Sequence, residues 1–308
     1  MVTVNAFLTD GKPSLTERSL ELAEALRGRP AASDGNYYAP DLIIINEIGP
    51  EQLTSLRDHL NEVFPSASAS GESDLSHYEI FGDSDLAKAK FLLNVEAIDV
   101  SQASYRSWAD DCKNDRFYQV AVGLEEKASG ATFTVAGVHL PTDYRDFLLP
   151  RDCRIRNIEH LRSELASYTG AVVVGGDFNQ RATDTEGECD PSETNPPLDW
   201  WKGMTGPSDL DARSYVDAVR SSHRARGSTL QDEWTHEQRV RTTLCDGAVG
   251  YRRNRIDYIF VSDSTLVHEA HADHPGWAGP RPGTISCDPL HPHCKYSDHR
   301  FAWARLGI

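Results

Sequence analysis

Ala171-Val-Val-Val-Gly-Gly-Asp-Phe-Asn179 is the stretch on which the fold turns. Its apolar residues follow one another without alternation, the mark of a strand buried on both faces. Two glycines and a carboxylate come next, so the strand exits at Asp177. Asp41-Leu-Ile-Ile-Ile-Asn-Glu47 is built the same way, an apolar run that ends in an acid. Elsewhere along the chain, polar residues recur at the ends of predicted strands: Asn5, Glu47, His139, Asp177 with Asn179, Asp257, and Asp298 with His299. Strand ends bring side chains to one rim of a sheet, where they can converge. Carboxylates, amides and imidazoles gathered there are the ingredients of a hard-cation site beside a proton-transfer site. Taken singly each has a bland reading, with Asp177 and Asn179 as turn residues and Ser297-Asp-His299 as a helix start.

The flanking sequence predicts alternating helices and strands. Ser14-Leu-Thr-Glu17 is a capping box, and Pro50 opens a helix with Leu53, Leu56, Leu60 and Phe64 on one face. Residues 151–168 form an amphipathic helix closed by Gly170, and a further helical stretch is expected near 214–225. Strands are expected at 2–8, 77–82, 88–100, 116–124, 131–140, 255–262, 265–271 and 300–306. Two Pro/Gly-rich segments, 180–213 and 273–294, read as long surface loops. No repeat or linker interrupts the chain, so one α/β domain over 1–308 is the simplest parse.

The chain has 308 residues, of which 39% are hydrophobic and 25% charged, a globular profile that excludes disorder, collagen and coiled coil. No apolar run approaches the ~20 residues of a bilayer span. The net charge of −16 disfavours non-specific coating of nucleic acid but leaves room for a basic cleft. Six cysteines, at 112, 153, 189, 245, 287 and 294, suit three disulfides and include no C-x-x-C. Met1-Val-Thr-Val-Asn5 has neither the basic nor the apolar region of a signal peptide. The even cysteine count, with two methionines and six tryptophans, favours a mature exported, secreted protein.

In chain order, Asp41–Glu47, Gly137-Val-His-Leu140, Gly175-Gly-Asp-Phe-Asn179, Arg255-Ile-Asp-Tyr258 and Ser297-Asp-His299 resemble the endonuclease/exonuclease/phosphatase superfamily. That superfamily includes deoxyribonuclease I, AP endonucleases, sphingomyelinases and inositol polyphosphate phosphatases. The resemblance runs from Asn5 to His299. It implies a four-layer α/β sandwich, two mixed sheets packed face to face with helices outside. It further implies that Glu47 is the principal Mg²⁺ ligand, with Asn5 and Asp298 also on the metal side; Mn²⁺ would substitute, and Ca²⁺ is a candidate structural ion. Asp177 and Asn179 match the phosphate- and water-binding pair, His299 the catalytic histidine, and Asp257 the acid that orients it. His139 resembles a second catalytic histidine. Two departures stand out. The stretch Ala87-Lys-Ala-Lys-Phe-Leu-Leu93 offers no carboxylate to polarise His139, and the first block reads Val4-Asn5 where the family has Trp-Asn.

Other features bear on the substrate. Arg145, Arg151, Arg154 and Arg156 follow His139, and Arg252, Arg253 and Arg255 precede Asp257. If the blocks converge, these arginines, Arg145, Arg151, Arg154 and Arg255 foremost, make a positive rim for a polyanion. The Asp184–Asp190 segment reads as a solvated acidic loop rather than a Ca²⁺ loop. Cys287-Asp-Pro-Leu-His-Pro-His-Cys294 reads as a short disulfide loop beside Ser297-Asp-His299 rather than a zinc knot. His268, His271 and His274 are read as surface residues. The expectation is a secreted, monomeric, Mg²⁺-dependent phosphodiesterase acting on nucleic acid, with no stable membrane association. The alternatives are a sphingomyelinase-type phospholipid phosphodiesterase using Trp200-Trp201, a small-molecule phosphatase, or, against the full set of acids and histidines, a non-catalytic binding module.

Overall fold

The two acid-terminated apolar runs become the central strands of two sheets. The computed structural model describes residues 1–5, 22–23, 39–64, 77–81, 89–100, 106–109, 118–140, 150–182, 198–228, 233, 235–243, 249–272 and 301–308. In chain order the strands are β1 Val2–Asn5, β2 Leu42–Asn46, β3 Tyr78–Phe81, β4 Ala89–Asn94, β5 Ile98–Asp99, β6 Arg106–Ala109, β7 Tyr118–Glu126 and β8 Thr132–His139. They continue as β9 Ala171–Asp177, β10 Tyr215–Asp217, β11 His236–Thr243, β12 Val249–Asn254, β13 Asp257–Ser262, β14 Leu266–Ala272 and β15 Ala302–Gly307. The helices are α1 Pro50–Val63, α2 Pro150–Leu165, α3 Asp199–Thr205 and α4 Ala218–Arg226.

One sheet runs β14-β15-β1-β2-β4-β3, and the other runs β10-β13-β9-β8-β7-β5 with β6 also on β7. Each is mixed, with a parallel pair (β1/β2 and β8/β9) among antiparallel neighbours. Three apolar clusters separate four layers. Ile44, Phe91, Val122, Val135 and Val173 fill the space between the sheets. Leu53, Leu56 and Leu60 of α1 pack on Ile43, Ile45 and Leu92 outside the first sheet. Ile158, Leu161 and Leu165 of α2 cover Val172 and Val174 outside the second. Every second residue of β2 and β9 thus faces a different layer, which is why neither run alternates. Each such side chain contributes about 1.5–3 kcal/mol by leaving water.

Three sequence expectations change. The strand expected over 88–100 is two strands in different sheets. Asn94 turns the chain between them, its Oδ1 accepting from the Glu96 N–H (3.3 Å) and the His77 N–H (3.0 Å). The 180–213 segment is not all loop: α3 lies in it, and Trp200 and Trp201 are buried against Phe178, Tyr258 and Phe260. The stretch near 214–225 starts as β10 before becoming α4. Asp217 caps that helix by accepting from the Val219 N–H (3.0 Å). The hairpin β11/β12 carried no clear signal in its polar sequence.

Arg162 of α2 is 1% exposed and spends its guanidinium on backbone carbonyls. It donates to Gly203 (3.0 Å), Gly206 (2.6 Å), Asp211 (2.8 Å) and Arg213 (2.7 Å). One side chain therefore ties α2 to the whole segment from α3 to β10. Its burial lowers the pKa of the group from the usual arginine value.

Candidate active site

Register assembles the site. In the second sheet His139 pairs with Asp177 across β8/β9, and Asp177 pairs with Asp257 across β9/β13. Three residues distant in sequence thus form one row, with strands roughly 5 Å apart. In the first sheet Asn5 lies beside Asn46 at the ends of β1 and β2, and Glu47 follows.

The rows meet where the sandwich is thin. Gly137 and Gly175 face each other in register, each two residues before its site residue and on the same strand face. A Cβ on Gly137 would lie 2.6 Å from the Ala89 Cβ. A Cβ on Gly175 would lie 2.8 Å from the Ile44 Cδ1. Glycine at these positions lets the sheets close beneath the rim. Asn46, fully buried, bridges them by donating from Nδ2 to the Val138 carbonyl (3.2 Å).

With the sheets this close, Glu47 Oε1 comes within 3.0 Å of His139 Nε2, and Asp177 Oδ2 lies 3.9 Å from the same nitrogen. Ligand atoms of Glu47, His139 and Asp177 all lie within 4.8 Å of one another. Glu47 is the exposed member, while Asp177 and His139 are buried. Glu47, from across the sandwich, is a carboxylate that His139 meets, and the meeting is at Nε2, the nitrogen that also faces Asp177. The other ring nitrogen, Nδ1, is buried and has no hydrogen-bond partner among the described residues. Two carboxylates of different depth beside one imidazole suit a hard divalent cation, with Glu47 on the solvent side.

Glu47 and Asn179 both adopt left-handed backbone, with φ of 54° and 52°. Such conformations cost a non-glycine residue of order 1 kcal/mol or more and cluster at functional sites. Asn179 is fixed twice: its N–H donates to Asp177 Oδ1 (2.7 Å) and its Nδ2 donates to the Leu140 carbonyl (2.7 Å). The Phe178 between them is fully buried on the outer face.

The fully buried Asp257 opens β13, where Thr235 Oγ1 accepts from the N–H groups of Ile256 and Asp257 at 3.1 Å each. Arg255 does not line an accessible rim. It is 1% exposed, pairs with both carboxylate oxygens of Asp217 and stacks 4.8 Å over Tyr258. Arg154 is also buried, at 4% exposure. The sequence reading placed both on a substrate-facing surface; the pairing with Asp217 withdraws Arg255, which instead anchors the strand that carries Asp257. Arg151 lies in the first turn of α2, with its side chain outside the described residues, as is that of Asn5. Arg145, Asp298, His299, Asp184–Asp190 and Cys287–Cys294 also lie outside them. Asn46 and Thr235 carried no sequence signal as positioning residues, because a buried asparagine or threonine declares itself only through its partners.

The sequence matches no protein-family model and no curated protein. Solved structures do match over the whole chain. An endonuclease/exonuclease/phosphatase from Bacteroides vulgatus aligns with a TM-score of 0.59 at 14% identity, covering 100% of this chain and 97% of that one. The chain has the endonuclease/exonuclease/phosphatase fold. D. rerio TDP2 complexed with a single-strand DNA product aligns with the same fold at a TM-score of 0.60 and 14% identity, covering 100% and 98%. A mannosyl-6-phosphatase from Bacteroides thetaiotaomicron aligns at 0.56 and 12%, covering both chains fully. The two mixed sheets and flanking helices expected of this fold are those observed, and the fold's central strands are the ones that end in Glu47 and Asp177.

Proposed function

We propose that the protein is a divalent-metal-dependent phosphodiesterase that hydrolyses nucleic acid. The observation that carries the proposal is the meeting of Glu47 from one sheet with His139 and Asp177 from the other, within 4.8 Å. Glu47, with Asn5 and Asp298, would hold the ion, and Mg²⁺ fits this oxygen-rich set. When bound, such an ion neutralises a non-bridging phosphate oxygen and the charge that builds in an in-line displacement. The remaining work belongs to side chains. His299, oriented by Asp257, takes the proton of the attacking water as the water oxygen bonds to phosphorus. His139 gives a proton to the leaving oxygen as its bond to phosphorus breaks. Asn179, one amide N–H spent on Leu140, has a second to donate to the phosphoryl oxygens.

Among the relatives in fold, one is a complex with a DNA product and another is a sugar phosphatase, so fold does not choose the substrate. The buried Trp200 and Trp201 weigh against the phospholipid alternative, which needs an exposed aromatic pair. Secretion as a monomer with paired cysteines is part of the same proposal; Cys153, on α2, is not a free thiol.

Supercoiled plasmid with Mg²⁺ tests the reading. Nicking that disappears with EDTA and in His299→Ala is expected. A folded, Mg²⁺-loaded protein that leaves plasmid intact but releases phosphate from a sugar phosphate would replace the nuclease with a phosphatase.

A further inference from the structure

A second convergence of histidine and carboxylate lies on the β14 edge of the first sheet, three strands from β2. His223 comes from α4, Glu233 from the segment after it, and His271 from β14. His223 Nε2 and His271 Nδ1 both contact the same carboxylate oxygen, Glu233 Oε1, the latter at 2.8 Å. All three ligand atoms lie within 4.8 Å of one another. The rings meet edge to face with centroids 5.7 Å apart. His223 and Glu233 are buried, whereas His271 keeps 27% of its side chain exposed, so the cluster has an opening to solvent. His271 is therefore not the plain surface residue that its place in the 268-271-274 series indicated.

The far side of every member is anchored. His223 Nδ1 faces the Ser228 hydroxyl at 2.7 Å. His271 Nε2 lies 3.3 Å from Glu269 Oε1 and 2.9 Å from an Arg226 nitrogen. The second oxygen of Glu233 accepts the Ala272 N–H. Ser228 can take the proton of His223 Nδ1, which turns that ring's Nε2 lone pair inward. At His271 Nε2, Glu269 can accept while Arg226 only donates, so a ligating Nδ1 requires Arg226 to turn from the ring to Glu269, 3.5 Å away. This outer ring fixes tautomer and orientation in histidine metal sites. The charges also favour a cation, with Glu233 and Glu269 against Arg226 alone among the full charges.

We propose that His223, Glu233 and His271 form a binding site for a borderline divalent cation of the zinc class, separate from the strand-end site. Two imidazoles and one carboxylate are a donor set for Zn²⁺ or Co²⁺, and the exposed side of His271 leaves a further coordination position for water. The strand-end set has the opposite balance, two carboxylates and one imidazole, and suits Mg²⁺. The ion would cross-link α4, the segment at 233 and the edge strand β14. That segment is already joined to the sheet through the Ala272 N–H, and the Ala270 N–H donates to Ser222 Oγ (3.0 Å).

The test is Co²⁺ titration of chelator-stripped full-length protein in excess Mg²⁺, which keeps the strand-end site occupied. One equivalent of Co²⁺ with visible d–d absorption, displaced by Zn²⁺, is expected in the wild type and in Glu47→Gln. His271→Gln should weaken Co²⁺ binding by about 100-fold or more, and His223→Gln likewise. Absence of bound Co²⁺ in the wild type would overturn the site, as would unchanged binding in a folded His271→Gln protein. If both histidine variants fail to fold, wild-type melting decides: a rise with one equivalent of Zn²⁺ in excess Mg²⁺ supports the site, and no rise overturns it.

Discussion

The two histidine–carboxylate clusters use the same residue types to opposite ends. At the strand-end rim, Glu47 is exposed in a left-handed backbone, and His139 Nδ1 is left without a hydrogen-bond partner among the described residues. At the α4–β14 edge, the carboxylate of Glu233 is engaged at both oxygens and each imidazole at both nitrogens. The rim thus combines strained backbone with an unpartnered ring nitrogen, whereas at the edge every polar side-chain atom of the three residues is already held by a neighbour. What separates the two clusters is the state of the partners, not the identity of the residues.

The largest effect expected from this contrast is in Glu47→Gln. Hydrolysis should drop on the order of 10³-fold, equivalent to about 4 kcal/mol, with little change in melting temperature. A comparable loss of stability would make the rim structural and erase the contrast. Next comes Glu233→Ala, which leaves the buried His223 and the partly exposed His271 without their common acceptor. Urea unfolding in chelator-treated buffer should show a loss of roughly 3 kcal/mol. A Glu233 variant that lost hydrolysis but kept its stability would break the comparison from the other side. A smaller effect is expected in acid. Burial raises the Glu233 pKa, but its bonds to His223, His271 and the Ala272 N–H outweigh that and hold it at about 2, below the usual 4.5. A carboxyl with a depressed folded pKa stabilises fully above the unfolded value and loses its contribution as pH falls through the folded one. The urea midpoint should therefore fall between pH 4.5 and 2 more steeply in the wild type than in Glu233→Gln. Equal slopes would remove Glu233 as an acid-sensitive support.

The rim was legible because local sequence encodes it: an apolar run that stops at a carboxylate places that carboxylate at a strand end, as at Glu47 and Asp177. The edge cluster was not legible, since residues 223, 233 and 271 become neighbours only when α4 docks on β14. Arg255 misled for a related reason. Two residues before Asp257 it reads as flanking the cleft, but its partner, Asp217, is 38 residues away in sequence and draws the guanidinium inward. Trp200 and Trp201 were hidden by their setting, a seven-residue helix inside a segment rich in proline and acid. The break between β4 and β5 depended on one asparagine side chain inside a run that otherwise reads as continuous strand.

The glycines beneath the rim have a mechanical consequence. Glu47 hangs from one sheet, and His139 and Asp177 from the other, so the width of the gap between them is set by the thickness of the sandwich under it. A single methyl at residue 137 would have to push the sheets apart by on the order of 1 Å to relieve its contact with Ala89. That shift would act as a shim, opening the gap between opposing ligands without altering any of them. The reach between the two sides of this rim can thus be tuned from below, by the calibre of the layer beneath it.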